Sequence, residues 1–397
     1  MSANVNLWAA NTPSRFWHCE PDPPGDAWGQ AAMAARPALN MPAAPDDLAD
    51  LLAWVLGEGQ FGPQHWQLTR TRRWYYRIKP FIPRALIEVM RQLHARNNCE
   101  ETLLGWPVEP RFVHFQWELV KQLLLACDQQ TIAYRRFWPQ GNQFALVLTH
   151  DIETDKGQRY VREVADLEEG LGFRSLFNFV PERYALDQTL IGELRTRGFE
   201  VGIHGLCHDG KLFSSHDVFS RRARRINEYL RTFGATGFRS PCTLRHPTWL
   251  QELDIEYDLS FFDTDPYEPI DGGTMTIWPF FVGRFVELPY TLAQDFTLTT
   301  VLKQSTPKLW HDKVRFISQY HGMALLNTHP DYLLNETTFK VYEEFLQGIS
   351  QLKNYWHALP GDVARWWRQR TSPDVDRSAA NVEMGQIVLT SQGITLC

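Results

Sequence analysis

From about residue 144 onward, short apolar runs alternate with longer segments in which apolar residues recur every three or four positions. The short runs predict buried strands, and the longer recurrence predicts amphipathic helices. Regular alternation of the two favours parallel β/α units and, with seven strands, a barrel or near-barrel. The predicted strands are Phe144 to Thr149, Ser175 to Val180, Val201 to His204, Gly237 to Ser240, Tyr257 to Phe262, Phe285 to Leu288 and Ala324 to Asn327. The predicted helices are Tyr160 to Leu171, Asp187 to Arg197, Asp217 to Phe233, Leu309 to Tyr320, Thr338 to Leu352 and a closing helix at Gly361 to Gln369.

The chain before this region has a different pattern. Sequence rich in Pro and Ala up to Pro45 gives way to a helix with Asp46 or Asp47 as its N-cap. Further helices are predicted at Arg84 to His94 and from about Phe115 to Tyr134. We therefore expect three parts: an N-terminal extension over residues 1–140, a barrel over 141–370, and a tail over 371–397 that has too few apolar anchors to be placed.

A basic and aromatic segment, Arg70 to Arg84, interrupts the N-terminal extension. Its arginines and aromatic rings would suit peripheral contact with an acidic lipid surface or a phosphorylated substrate. Alternatively, Trp74, Tyr75 and Tyr76 pack onto the next domain while the arginines stay in solvent. The sequence leaves both interpretations open.

Composition narrows the class of protein. The chain has 397 residues, 44% of them hydrophobic, and a net charge of -6, which gives no general attraction to nucleic acid. Six scattered cysteines without a CxxC pair suit a reducing compartment. The N-terminus has no basic and apolar leader, and no run is long enough to span a bilayer. These features predict a cytoplasmic protein with no transmembrane segment.

Polar side chains that can bind a metal or transfer a proton follow several predicted strands. Asp151 and Glu153 follow the first strand, and their spacing of two points both to one side of an extended chain. His204 and His208 end and follow the third strand. In a parallel barrel the carboxyl ends of the strands meet at one face, so these groups are expected to converge. Two imidazoles and one carboxylate would leave open positions on a zinc ion for an activated water.

With these motifs in hand, residues 144 to 360 resemble the NodB-type polysaccharide deacetylases, carbohydrate esterase family four. The family motif TFDDG is matched by THDIE, which implies Asp151 as general base, and HSxxH is matched by HGLCH, which implies His204 and His208 as metal ligands. The resemblance implies a distorted (β/α)7 barrel, a divalent metal, most simply Zn²⁺, and a carbohydrate or glycoconjugate substrate.

Two further motifs imply the other catalytic residues. Phe238-Arg239-Ser240-Pro241 matches the arginine-proline motif, so Arg239 would keep the base ionised, and Leu325-Leu326-Asn327-Thr328-His329 matches LxLH, so His329 would be the general acid. The aspartate that orients this acid falls in residues 261–269, which include Asp263 and Asp265, or in residues 287–295. We predict Asp295.

The chain also departs from the family pattern. Ile152 stands where a second aspartate usually follows the base, so Glu153 would be the third metal ligand. Cys242 replaces the aromatic residue after Pro241 whose backbone N–H helps to bind the oxyanion. Pro241 and Cys242 are expected to line the substrate site. Trp278 is a candidate sugar-stacking platform, and packing in the core is the alternative.

The remaining polar candidates have weaker support. Asp209 either orients a ligand histidine or forms a turn before Gly210, and His150, His246 and His321 are interpreted as structural.

Three functions stay open. The first is a metal-dependent hydrolase that removes N-acetyl or O-acetyl groups from a carbohydrate. The second is a deformylase or another amide hydrolase on the same barrel, and the third is a non-catalytic glycan-binding module. A non-haem iron oxygenase also uses two histidines and a carboxylate, but the order of the ligands and the α/β setting disfavour it.

Overall fold

The structure, a computed structural model, describes residues 6–24, 26–63, 65–66, 102–270, 272–372 and 382–397. The predicted helix at Arg84 to His94 and the basic and aromatic segment Arg70 to Arg84 lie outside the described residues. Within the described ranges, no helix combines the length and apolar character needed to cross a bilayer.

The described residues form two β-sheets. Their strands are β1 (Cys19–Glu20), β2 (Thr131–Arg135), β3 (Phe144–Ile152), β4 (Leu176–Phe179), β5 (Glu200–His204), β6 (Gly237–Arg239), β7 (Tyr257–Asp258), β8 (Phe280–Val282), β9 (Phe285–Glu287), β10 (Met323–Thr328), β11 (Tyr355–His357), β12 (Met384–Thr390) and β13 (Gly393–Leu396). The larger sheet has the order β10-β3-β4-β5-β6-β7-β9-β8, and β11 also pairs with β3. All neighbours from β10 to β9 are parallel, and β8 is antiparallel to β9. A parallel bridge from Leu292 to Leu326 joins the chain after β9 to β10, which curls the sheet into a distorted barrel. The predicted (β/α)7 barrel is confirmed.

The helices pack around this barrel and on its N-terminal side. They are α1 (Pro13–Trp17), α2 (Ala27–Ala35), α3 (Leu48–Leu56), α4 (Arg111–Ala126), α5 (Asp155–Gly170), α6 (Gln188–Thr196), α7 (His216–Phe233), α8 (Pro247–Leu250), α9 (Lys308–Gln319), α10 (Pro330–Leu333), α11 (Glu336–Ser350) and α12 (Pro360–Arg370). All six helices predicted for the barrel are present, as α5, α6, α7, α9, α11 and α12. Asp47 caps α3 by accepting a hydrogen bond from the backbone N–H of Asp50.

The predicted helix from Phe115 to Tyr134 is wrong in its second half. The chain leaves α4 at Ala126 and re-enters regular structure as β2, which pairs with β1 and with β12 of the tail. Ile132 lies opposite Ile387 in this pairing. The tail that the sequence left unplaced thus completes a four-stranded antiparallel sheet, β1-β2-β12-β13.

The burial of β3 fits its position inside the barrel sheet. Every residue of β3 is buried, as expected for a strand covered on both faces.

Outside the barrel, Glu58 of the N-terminal region accepts hydrogen bonds from Arg245 Nε at 2.8 Å and from the backbone N–H of Gly273 at 2.7 Å. The N-terminal region is thereby fixed to the loops that follow β6 and β7.

Candidate active site

The residues singled out from the sequence lie at the carboxyl ends of the parallel strands. Asp151 is the next-to-last residue of β3, His204 ends β5 and Arg239 ends β6. His204 and Arg239 are direct partners in the pairing of these two strands. His329 directly follows β10. The strand register therefore brings side chains from distant parts of the sequence to one face of the barrel.

Three possible metal ligands converge there. One ligand atom each of Glu153, His204 and His208 lies within 4.8 Å of the others. Gly205, with φ of 64°, turns the chain sharply after β5, and a Cβ at this glycine would meet the Pro241 ring at 2.5 Å. This close turn is what lets His208 return towards His204, whose ring centroid lies 5.1 Å away.

The state of these ligands fits a cation. His204 Nδ1 lies 3.2 Å from the backbone oxygen of Arg239, which places the proton on Nδ1 and leaves the lone pair on Nε2. Burial lowers the pKa of His204 to about 4, so the ring is neutral at pH 7. His208 Nε2 is buried and lies 3.0 Å from Glu153 Oε1, which is an ion-pair distance. A cation bound between the two atoms would replace this contact and would need the lone pair of Nε2.

Asp151 occupies a buried polar pocket beside this cluster. Its carboxylate accepts hydrogen bonds from Asn178 Nδ2 and from Asn327 Nδ2, both at 3.0 Å, and from Arg239 Nη1 at 3.4 Å. Burial alone would raise its pKa, but the nearby charges of His204, Arg239 and His329 outweigh it and hold the pKa at about 2. Since His204 is neutral at pH 7, Arg239 and His329 supply that attraction under ordinary conditions. Asp151 is therefore ionised.

Arg239 is held rigidly from several sides. Its guanidinium donates to the backbone oxygen of Leu259 at 2.9 Å, to Thr149 Oγ1 at 2.8 Å and to Asn327 Oδ1. The side chain is 1% exposed, so its charge is poorly screened by solvent. Arg239 therefore lies inside the barrel and not on its surface.

His329 and Asp295 form a buried pair. Asp295 Oδ1 lies 2.8 Å from His329 Nδ1, and Asp295 Oδ2 accepts the backbone N–H of His329 at 2.9 Å. Burial would lower the pKa of His329, but the carboxylate of Asp295, with Glu153 and Asp151 behind it, raises the pKa to about 9. His329 therefore carries a proton at neutral pH, and the structure places Asp295 in contact with it.

The other two candidate aspartates are engaged elsewhere. Asp263 forms an ion pair with Lys313 at 2.7 Å, and Asp265 accepts a hydrogen bond from Tyr290 at 3.1 Å.

Three supporting residues escaped the sequence reasoning. Asn178 and Asn327 fix Asp151, and Asp331 Oδ2 accepts the backbone N–H of Glu153 at 2.9 Å, which fixes the point where the chain leaves β3. Asn178 and Asn327 each lie near the end of a predicted strand, and Asp331 is two residues after His329. A polar residue inside an otherwise apolar strand was the signal that could have identified the two asparagines.

The predicted substrate-site residues differ in position. Pro241 and Cys242 form a short turn directly after β6, and Cys242 has a left-handed backbone with φ of 57°. Trp278 is fully buried, its Nε1 donates to the backbone oxygen of His321, and its ring stacks on Trp117 at 5.8 Å. Its ring has no exposed face, so Trp278 packs the barrel against the N-terminal region and is not placed to stack on a sugar.

The residues with weaker support have clear positions as well. His150 uses both ring nitrogens, on Thr328 and Glu168 at 2.7 Å each, and is fully buried. His246 stacks on Trp249 at 4.3 Å. Both carboxylate oxygens of Asp209 lie 2.7 Å from Arg222, so this carboxylate is engaged away from the ligand histidines.

Comparisons with known proteins give low similarity. No protein-family model and no curated protein matches the sequence. Among solved structures, the chain is similar to a protein assigned as a polysaccharide deacetylase from Mycobacterium smegmatis, with 19% identity and a TM-score of 0.48 over 58% of this chain and 92% of that chain. It is also similar to a protein with the same assignment from Pseudomonas aeruginosa PAO1, with 16% identity and a TM-score of 0.48 over 58% and 93%. The third is the allantoinase Puue, with 13% identity and a TM-score of 0.47 over 58% and 92%. At these values the fold assignment rests on the strand order of this chain, and the function rests on its site.

Proposed function

We propose that this protein is a metal-dependent hydrolase that removes acetyl groups, N-linked or O-linked, from a carbohydrate or glycoconjugate. The observation that carries the proposal is the convergence of Glu153, His204 and His208 within 4.8 Å beside an ionised, buried Asp151. Asp151 is buried, accepts three hydrogen bonds and lies next to the three possible metal ligands. Ionisable groups with strongly perturbed pKa values in such surroundings are typical of catalytic sites.

The three converging side chains would hold one divalent cation. Two imidazoles and a carboxylate are the donor set of many catalytic zinc sites, and zinc is accordingly the ion we propose. When bound, the ion supplies Lewis-acid polarisation of the acyl group and activates water.

Asp151 would act as the general base. It is ionised at neutral pH, and its oxygens are held in place by Asn178, Asn327 and Arg239, so it is oriented before substrate arrives. The proton that it accepts comes from the attacking water. Because Arg239 stabilises the ionised form, the base stays available over the whole neutral range.

His329 would act as the general acid. Its Nδ1 is engaged by Asp295, which leaves Nε2 as the atom that can deliver a proton to the departing nitrogen or oxygen of the substrate. The charge interactions of His329 with both Asp151 and Glu153 indicate that it belongs to the same site as the base and the ligand cluster. A buried acid with a raised pKa opposite an ionised base is the division of roles that hydrolysis of an amide or ester needs.

The test is acetate release from acetylated mono- and oligosaccharides by the zinc-loaded protein. Asp151→Asn should retain the ion and lose turnover by about 100-fold to 10,000-fold, the range for loss of a general base. Asp128→Asn is the matched control, because Asp128 is exposed and its left-handed backbone suits asparagine.

Normal hydrolysis by Asp151→Asn would show that the base has been misassigned. A zinc-loaded wild type that releases no acetate or formate from any acylated sugar would instead favour the glycan-binding module.

A further inference from the structure

An arginine without an acidic partner stands at the edge of the ligand cluster. Arg183 is exposed, and its Nη1 lies 2.6 Å from His208 Nδ1 and donates to the backbone oxygen of His208 at 2.9 Å. These are its only polar contacts in the part of the chain that the structure describes, and no carboxylate there lies within ion-pair distance. Its charge is therefore not neutralised by the protein.

Neighbouring arginines in this corner behave differently. Arg222 is paired with Asp209 at 2.7 Å, and Arg225 is paired with Glu182 at 2.9 Å. The acidic groups next to Arg183 in sequence and in the His208 loop are thus already taken by other cations. Arg183 is left to attract a negative charge from outside the chain.

The local charge has the opposite sign to that of the whole protein. Residues 182–183 and 205–225 contain six Lys and Arg against three Asp and Glu, while the full chain carries a net charge of -6. Arg221 and Arg224 add exposed positive charge on α7. A patch of positive charge near a binding site raises the local concentration of anions.

Binding of a cation by His208 would remove the contact between Arg183 and the His208 ring, but not the hydrogen bond to the His208 backbone oxygen. A ligand atom at Nε2 must use its lone pair, which places the ring proton on Nδ1. Nδ1–H and the guanidinium are both donors, so Arg183 would lose its contact with Nδ1 and keep only the backbone oxygen of His208, which leaves most of its N–H groups open to an external acceptor. The guanidinium fork fits the two oxygens of a phosphate or carboxylate.

We propose that Arg183 binds an anionic group of the substrate, so that the acetylated sugar carries a phosphate or a carboxylate. This inference rests on the proposed function and names its substrate class. The group would lie next to the His208 side of the site, within reach of a long, exposed side chain.

The experiment compares three substrates: a neutral N-acetylhexosamine, its phosphate ester, and the corresponding N-acetylated uronic acid. With wild type we expect kcat/KM at least about 10-fold higher for one or both anionic sugars, the effect of one charge-assisted hydrogen bond. Arg183→Ala should lose that preference, because its KM should rise about 10-fold more for the anionic sugars than for the neutral one. Arg183→Lys should restore part of it. Which anionic sugar is preferred identifies the group.

The matched control is Arg231→Ala, at the far end of α7, where the side chain is 63% exposed and paired with Asp254. Metal content by elemental analysis should be unchanged in Arg183→Ala. Equal loss on neutral and anionic sugars, or no preference in wild type, would overturn the inference. If wild type hydrolyses neither these three sugars nor the acetylated oligosaccharides, the proposed function fails, and calorimetric binding of the same three sugars to wild type and Arg183→Ala still decides the role of Arg183.

Discussion

Asp295→Asn should remove the proton from His329 at neutral pH. Asp295 contacts both Nδ1 and the backbone N–H of His329, and its carboxylate is the largest influence that raises the pKa of His329 against the effect of burial. Asparagine keeps the size of the side chain, but it removes the negative charge. The variant thus tests the charge of Asp295 with little change in packing.

The size of the effect follows from the pKa. The shift of His329 from 6.5 to about 9 corresponds to about 3 kcal/mol in favour of the protonated ring. At pH 7.5, a pKa of about 9 keeps roughly 97% of the rings protonated, while the ordinary value of 6.5 leaves roughly 9%. Without Asp295, burial lowers the pKa and only Glu153 and Asp151 oppose it, so the variant should hold far fewer protons than wild type at this pH. Acetate release should fall by about 100-fold to 10,000-fold, as for loss of a general acid.

The direct assay is an NMR titration of the His329 ring in metal-free protein, wild type and Asp295→Asn. The sign of the stability effect gives a second measurement. Because the pKa in the folded protein lies above that of the unfolded chain, the contribution of His329 is fully present below pH 6.5 and is lost as the pH rises through about 9. The free energy of unfolding of wild type should fall across that window, and Asp295→Asn should lack this component. An unchanged His329 pKa in the variant would refute the reasoning.

Two further predictions concern support of the site and of the fold. Gly202→Ala on β5 would place a Cβ 2.2 Å from Asn178 Oδ1, so it should displace Asn178 from Asp151 and lower kcat. A denaturant titration should show that this variant is destabilised by about 1–3 kcal/mol. The control is Gly192→Ala on α6, which has open space around it and should be neutral or stabilising in the same titration. Glu58→Ala leaves Arg245 buried without its ion pair and should cost about 3–5 kcal/mol. Burial raises the pKa of Glu58, but Arg245 outweighs it and lowers the pKa to about 2. The contribution of Glu58 to the free energy of unfolding is therefore present above pH 4.5 and lost as the pH falls towards 2. Equal acid sensitivity of wild type and Glu58→Ala would contradict this prediction.

The barrel could be predicted from the sequence because its strands are local apolar runs. In β3 nearly every residue is apolar up to Thr149, so its burial on both faces is visible without knowing its neighbours. The small sheet could not be predicted in this way. The segment Thr131–Arg135 is short and mixed in polarity. It becomes a strand because β1, which contains Cys19, and β12, which contains Met384, pair with it from distant parts of the chain.

The candidate site was partly visible for the same reason. Asp151 and His204 stand at the ends of apolar strands, where polar residues are conspicuous. Asp331 lies in the one-turn helix α10 and Arg183 in a turn, where polar residues are ordinary, and their contacts with Glu153 and His208 depend on the folded chain. Trp278 shows the reverse case, because a tryptophan next to Pro279 gives no local sign of whether its ring is exposed or buried.

The central claim is that Glu153, His204 and His208 together bind one divalent cation. The most direct measurement is the zinc content per chain after loading and exhaustive dialysis, by elemental analysis, for wild type, His204→Ala, His208→Ala and Glu153→Gln. His216→Ala is the control, since His216 is exposed on α7 and 58% of its side chain is accessible. We expect about one zinc per chain in wild type and in the control, and strongly reduced zinc in the three ligand variants. A wild type without zinc, or full zinc content in all three variants, would contradict the account.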